Sequence, residues 1–255
     1  MKIVSLTPAG DEIARALDLP LLAGADVADA QPDIVIAGAD GVHSSSTARV
    51  ITLHPSTLEG IFQSITQVGE ATDKMREANA LVQSLRERIE RVRASMNAAV
   101  HRPTVAALEW LNPPSACGRW MPEMIEIAGG RCVLGETGQP ARQIEWDDVI
   151  ASQAEMVVVM PNEKDIAGSV QAFIDVADLP VWRDLPATYL WQLYAVDALA
   201  YFSRPGPRIV DGIEILAGMI QPHLWPAPGP EQALRVNDVL QTPMRIDRNR
   251  RLRLE

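Results

Sequence analysis

Two three-layer α/β lobes with mostly parallel sheets, joined by one long α-helix, are predicted from three observations. The first is the stretch from Ala71 to Ala99, 29 residues without a glycine or proline. The second is that short apolar runs and helical patterns alternate on both sides of that stretch, the mark of βαβ units. The third is size: 255 residues, 47% of them hydrophobic, suffice for two lobes that each bury a core. The expected divisions are an N-terminal lobe over 1–70, the helix over 71–99, a second lobe over 100–224, and a Pro-rich, basic tail over 225–255.

Along the central stretch Met75, Leu81, Val82, Leu85, Ile89, Val92 and Met96 recur at three-then-four spacing with Ala78 between them, and charges fill the opposite face. At 1.5 Å per residue such a helix would be roughly 40 Å long. A long surface helix or a short coiled coil would share this pattern.

The first lobe opens with a strand from Lys2 to Leu6 and a turn at Thr7-Pro8-Ala9-Gly10. A helix follows from Asp11 to Leu17, with Pro8 placed as at a helix start and Asp11 and Glu12 suited to the positive end of its dipole. A strand running into a helix N-terminus sets backbone N–H groups at a cleft mouth, which makes Thr7 and Pro8 candidate site residues. Asp33 to Ala37 and Val50 to Leu53 read as core strands, and Ala39 to Thr47 as a loop. Ser56 or Thr57 caps a helix through about Val68.

In the second lobe Thr104 to Leu108 is a strand, and Glu109 to Gly118 (EWLNPPSACG) a loop, because its prolines oppose regular structure. A helix spans Trp120 to Ala128 and stops at Gly129-Gly130. Glu145 to Ala151 is a short helix, Met156 to Met160 a strand, Glu163 to Val176 an amphipathic helix and Leu193 to Val196 the last strand. YFSRPGPR is a loop, Arg208 to Ile220 the closing helix, and the chain from Pro222 is irregular. There is no internal repeat and no Walker-type or GxGxxG loop.

A net charge of −10 and a pI near 4.9 oppose broad contact with nucleic acid or anionic membrane. Arg245, Arg248, Arg250, Arg251 and Arg253 collect at the end, as a solvated terminus or a patch for an acidic partner. No run of 18 apolar residues predicts membrane insertion, and MKIVSLTPAG is too short in apolar residues for a signal peptide. The expectation is a cytoplasmic monomer as written, or a periplasmic or extracellular protein if a leader has been removed. Cys117 and Cys132 read as free buried thiols or one disulfide.

Trp110 and Trp120 flank the proline-containing loop, and Tyr201 and Phe202 lie in another loop. Flat rings of this size suit a bulky conjugated ligand, and equally they suit lobe packing. Arg119 and Arg204 would meet acidic ligand groups or nearby carboxylates, and Ser203 offers a hydroxyl to a ligand or a turn. His43, His54, His101 and His223 form no close pair, so a metal site is not expected. Without a GxSxG elbow, an HExxH motif or a histidine partner for Cys117, no enzymatic activity and no required cofactor are expected.

The segments MKIVSLTPAGDEIARAL, PDIVIAG, LHPSTLEGIFQSITQVGEAT, ALEWLNPPSACGRWMPEMIEIAGG and AYFSRPGPRIVDGIEILA resemble the cobalamin-type substrate-binding proteins of ABC transporters. The resemblance spans about residues 1–224. It implies a ligand between the lobes, a corrinoid such as cobalamin as that ligand, and a transporter permease as partner. It also implies a ligand-binding role for Thr7, Pro8, Trp110, Arg119, Trp120, Tyr201, Phe202, Ser203 and Arg204. This chain departs from the pattern in its short Asp18–Gln31 segment, in GADGVHSSS where paired cysteines are usual, and in Gly118-Arg119-Trp120 where GHW is common. Two alternatives share the fold: a relative that has lost the pocket and serves as a scaffold, and a metal, siderophore or haem binder.

Overall fold

The central helix forms, shorter than its glycine-free stretch. The computed structural model describes residues 1–22, 31–38 and 48–241. In it, helix α2 (Leu58–Ala71) and helix α3 (Met75–Met96) are separate. Thr72 folds its hydroxyl back onto the Val68 carbonyl at 2.7 Å, and Asp73 takes a left-handed backbone (φ 57°) that turns the chain. The turn brings α2 against α3 so closely that a Cβ on Gly69 would lie 2.4 Å from that of Ala78. Helix α3 has 22 residues and so runs about 33 Å.

In the first lobe, β1 (Ile3–Ser5), β2 (Ile34–Ala37) and β3 (Arg49–Thr52) form a parallel sheet in that order. The register sets Ile3 beside Ile34 and Ile36 in line with Ile51, so isoleucines share one face and Val4 and Val35 the other. Helix α1 (Pro8–Ala16) begins three residues earlier than expected, because Thr7 caps it through a 3.0 Å bond from the Gly10 N–H to its hydroxyl. Thr57 caps α2 in the same way at 3.1 Å. The expected loop from Ala39 to Thr47, with His43 and all of GADGVHSSS after its first glycine, lies outside the described residues, as does most of Asp18–Gln31.

The second lobe is built on β4 (Thr104–Leu111), β5 (Pro114–Ala116), β6 (Arg131–Cys132), β7 (Arg142–Gln143), β8 (Met156–Val159), β9 (Leu193–Val196) and β10 (Ala233–Arg235). The order is β10-β9-β8-β4-β5-β7, with β6 also on β4; β4, β6, β8 and β9 are parallel, and β5, β7 and β10 antiparallel. Two expectations are corrected here. Glu109 to Gly118 is not a loop: the prolines stand at the turn and at the first residue of β5, where no ladder N–H is needed, so β4 continues and pairs with β5. The tail does not begin at 225, since β10 adds to the sheet edge and Asn237–Gln241 is helical. The arginines from Arg245 onward lie outside the described residues.

Alternation along the strands separates two layers of packing. Val105, Ala107, Met156 and Val158 face α4 (Met121–Ile127) and the closing helix Ile209–Ile220, while Ala106, Leu108, Val157 and Val159 face Phe173, Trp182 and Val149. The first of these cores continues through α3, whose Ala78, Val82, Leu85, Ile89, Val92 and Met96 are all buried, into the isoleucine face of the first lobe. Each large aliphatic group buried there is worth about 1.5–3 kcal/mol. Polar bonds reinforce the join. The Glu123 carboxylate of α4 accepts from the Leu58 N–H at the start of α2 at 3.1 Å, and Glu12 of α1 accepts from the Arg208 N–H at 2.6 Å. Each lobe thus supplies a carboxylate to a helix N-terminus of the other.

Candidate functional site

The site forms at the C-terminal ends of β4 and β8, where parallel sheets place ligands. Leu108 pairs with Ala116 and Trp110 with Ser115, so Glu109 has no partner in the register. Such a bulge re-aims a side chain. The Glu109 carboxylate accepts from the Gly118 N–H at 3.1 Å, which ties the end of β4 to the segment after β5. Burial pushes the Glu109 carboxyl above its ordinary 4.5, against the opposing pull of the Gly118 N–H and the Arg119 charge.

Gly118 is required by close approach: a Cβ there would lie 2.5 Å from backbone atoms of Gln139, Pro140 and Ala141. Arg119 is held in a left-handed conformation (φ 52°) by two backbone bonds, its N–H donating to Gln139 at 2.5 Å and its carbonyl accepting from Gly138 at 2.9 Å. Its guanidinium is exposed and stands 5.9 Å from the centre of the Trp120 ring. Trp120, just before α4, is only 5% exposed, and its Nε1–H donates to the Phe202 carbonyl at 3.0 Å.

Glu109, Gly118, Arg119, Trp120, Met160, Asn162, Phe202 and Ser203 enclose a cavity of about 10 Å³. That is room for one water molecule. Of the expected residues, Arg119, Trp120, Phe202 and Ser203 are therefore together, but Trp120 and Phe202 are packed as core and do not face open space. Trp110, next to Glu109 on β4, is 47% exposed and does not line the cavity. Tyr201 lies under the Arg208 guanidinium at 4.6 Å, in the helical turn Ala198–Tyr201 that replaces the start of the expected loop. Ser203 Oγ accepts from the Glu163 N–H at 3.1 Å, and Arg204 pairs with Glu163 at 3.1 Å while its Nε is buried without a partner. Thr7 is spent on the α1 cap, Pro8 is exposed beside it, and neither lines the cavity. Among the described residues, the space that Trp120 and Phe202 line is thus no larger than one water molecule.

Sequence reasoning left Glu109, Gly118, Met160 and Asn162 out of the site. The signal for Met160 and Asn162 was their place at and just beyond the end of an apolar strand; Glu109 could not be placed without the bulge. Among the described residues no group of three or more His, Cys, Asp or Glu is placed to hold a metal, and no helix is long and apolar enough to cross a membrane.

The sequence model for the Periplasmic binding protein family matches residues 26–198, more than half of the chain. This chain belongs to that family. Solved structures agree in fold. An ABC transporter substrate-binding protein from Listeria monocytogenes EGD-e superposes with a TM-score of 0.73 at 17% identity, over 87% of this chain and 98% of that one. A periplasmic heme binding protein from Pseudomonas aeruginosa gives 0.74 at 20% identity, over 90% and 96%. The periplasmic vitamin B12 binding protein BtuF of Vibrio cholerae gives 0.65 at 18% identity, over 86% and 96%. No curated protein matches. The two-lobe, largely parallel α/β fold of a solute-binding protein is therefore established for this member of the periplasmic binding protein family. The cytoplasmic placement finds no support in that family, nor does the scaffold alternative.

Proposed function

We propose that this periplasmic binding protein family member is a non-catalytic solute-binding component of an ABC transporter, acting as a monomer outside the cytoplasmic membrane and delivering a bulky conjugated ligand with acidic groups to a permease. A corrinoid such as cobalamin is the first choice and haem the second. The observation that carries this reading is that the Glu109–Gly118 bond ties together two segments, one carrying Trp110, an exposed indole, and the other Arg119, an exposed residue held at a fixed backbone angle. An indole face supports a flat ring system, and a preset guanidinium meets carboxylate or phosphate in a bidentate pair. Neighbours of the same fold are described as binding heme and vitamin B12.

The 10 Å³ cavity cannot admit such a ligand. Our reading is that the ring system lies across the mouth, over Trp110, with its acidic groups at Arg119, and that Trp120 forms the floor. Helix α3 and its continuous core resist wide hinge opening, so lobe movement on binding stays within a few degrees of rocking.

The test is a thermal-shift and visible-absorbance titration with cobalamin, cobinamide, haem and a ferric siderophore. Wild type shows a raised midpoint and a spectral change with the corrinoids or haem. Arg119→Ala, whose side chain is exposed, melts as wild type and binds about tenfold or more weakly, the worth of a charged hydrogen bond. Silence of wild type across the panel overturns the proposal.

A further inference from the structure

Two thiols lie beside this site without a part in it. Cys117 precedes Gly118 and is buried; Cys132, on β6, is half-buried. The same edge of β4 brings them together, because the Cys117 N–H bonds to Ala107 and Cys132 pairs with Val105, two residues along. Their sulfurs are 3.9 Å apart. Gly135 closes over them so tightly that a Cβ there would lie 2.6 Å from the Cys117 sulfur.

We propose that Cys117 and Cys132 are a dithiol–disulfide site, closed in the folded protein by exchange with an external disulfide and restraining the segment that presents Arg119. This stands whether or not the ligand reading does. The two thiols have distinct roles. The sulfur–sulfur contact with Cys117 lowers Cys132 to about 7, while the same contact and burial hold Cys117 well above the ordinary thiol value. Cys132, as thiolate, attacks one sulfur of the external disulfide, forming a mixed disulfide and expelling the other half as a thiolate, which takes up the Cys132 proton. Cys117 then loses its proton and attacks the Cys132 sulfur, forming the Cys117–Cys132 bond as the second half leaves and takes that proton. The protein loses two electrons and two protons, and both pairs end on the two thiols released.

The experiment uses the reduced full chain, oxidised glutathione as the disulfide added to the folded protein, alkylation with iodoacetamide in denaturant after acid quenching, and peptide mapping. Wild type loses both alkylatable thiols, retains no glutathione, and yields a cross-linked pair of peptides containing Cys117 and Cys132. Cys117→Ser keeps one glutathione on Cys132, having no thiol to resolve it, and Cys132→Ser takes none. The bridge closes a loop with its ends 15 residues apart, so the melting midpoint rises by roughly 5–10 °C on oxidation. Two thiols still alkylatable after oxidation, glutathione left on wild-type Cys132, or a lowered midpoint would each overturn the proposal. If either serine variant fails to fold, the wild-type map decides alone.

Discussion

Removing the indole of Trp120 separates a packed floor from an open aromatic wall. The ring is 5% exposed and its N–H is bonded to the Phe202 carbonyl at 3.0 Å. Truncating a buried tryptophan to alanine costs about 3–5 kcal/mol through lost burial and the cavity left behind. The Phe202 carbonyl, left without its donor, adds about 1–3 kcal/mol. The two contributions overlap where the neighbourhood relaxes, so Trp120→Ala should lose about 4–6 kcal/mol, a large part of the 5–15 kcal/mol of a typical domain. Trp120→Phe keeps most of the volume and loses only the N–H, for about 1–3 kcal/mol. Urea denaturation followed by far-ultraviolet circular dichroism measures both. An alanine variant within about 1 kcal/mol of wild type would refute the reasoning, since a ring aimed into an open cleft is the arrangement that tolerates truncation. The same magnitude makes Arg119, and not Trp120, the residue to vary in ligand titrations.

Three further outcomes are expected. Burial raises Glu109 above 4.5, so between pH 4.5 and its folded pKa the native state holds a proton that the unfolded chain has released, and stability falls as pH rises through that window. The stability difference between Glu109→Gln and wild type therefore moves in the variant's favour with rising pH and levels off above it; a flat difference in pH-stepped urea melts would contradict this. Arg88 bridges α3 to the closing helix through Asp211 at 2.6 Å and Glu214 at 2.7 Å, and its side chain is 26% exposed. Arg88→Ala leaves two half-buried carboxylates facing each other and costs about 2–4 kcal/mol, less in high salt, measured by denaturation at two ionic strengths. A Cβ on Gly206 would lie 2.6 Å from the Glu12 carboxyl carbon, so Gly206→Ala displaces the bond from Arg208 and loses about 1–3 kcal/mol. Glu12→Ala combined with Gly206→Ala should then be less than additive, and strict additivity would count against that contact.

Periodicity by itself determined the parts whose physics is local. The face of α3 from Ala78 to Met96 is buried as its spacing requires, because a helix can turn only one side toward a core. Thr57 stands before α2 as a cap because its hydroxyl meets an N–H three residues on, a contact written wholly within one turn. Val157 and Val159 were legible as a core strand for the same reason.

Only the tertiary structure decided where local preference and long-range pairing compete. Prolines after Trp110 suggested a loop, yet β4 continues to Leu111 because Pro114–Ala116 comes back to pair with it. The bulge in that pairing sends Glu109 to the Gly118 N–H, a contact that no spacing of residues announces. Trp120 and Phe202 were visible as rings, but which face was buried depended on segments 82 residues apart meeting through one hydrogen bond. Side-chain chemistry is carried by the sequence, while burial is a property of everything that packs around it, and burial is what made Trp120 and Phe202 part of the core while Arg119 stays exposed.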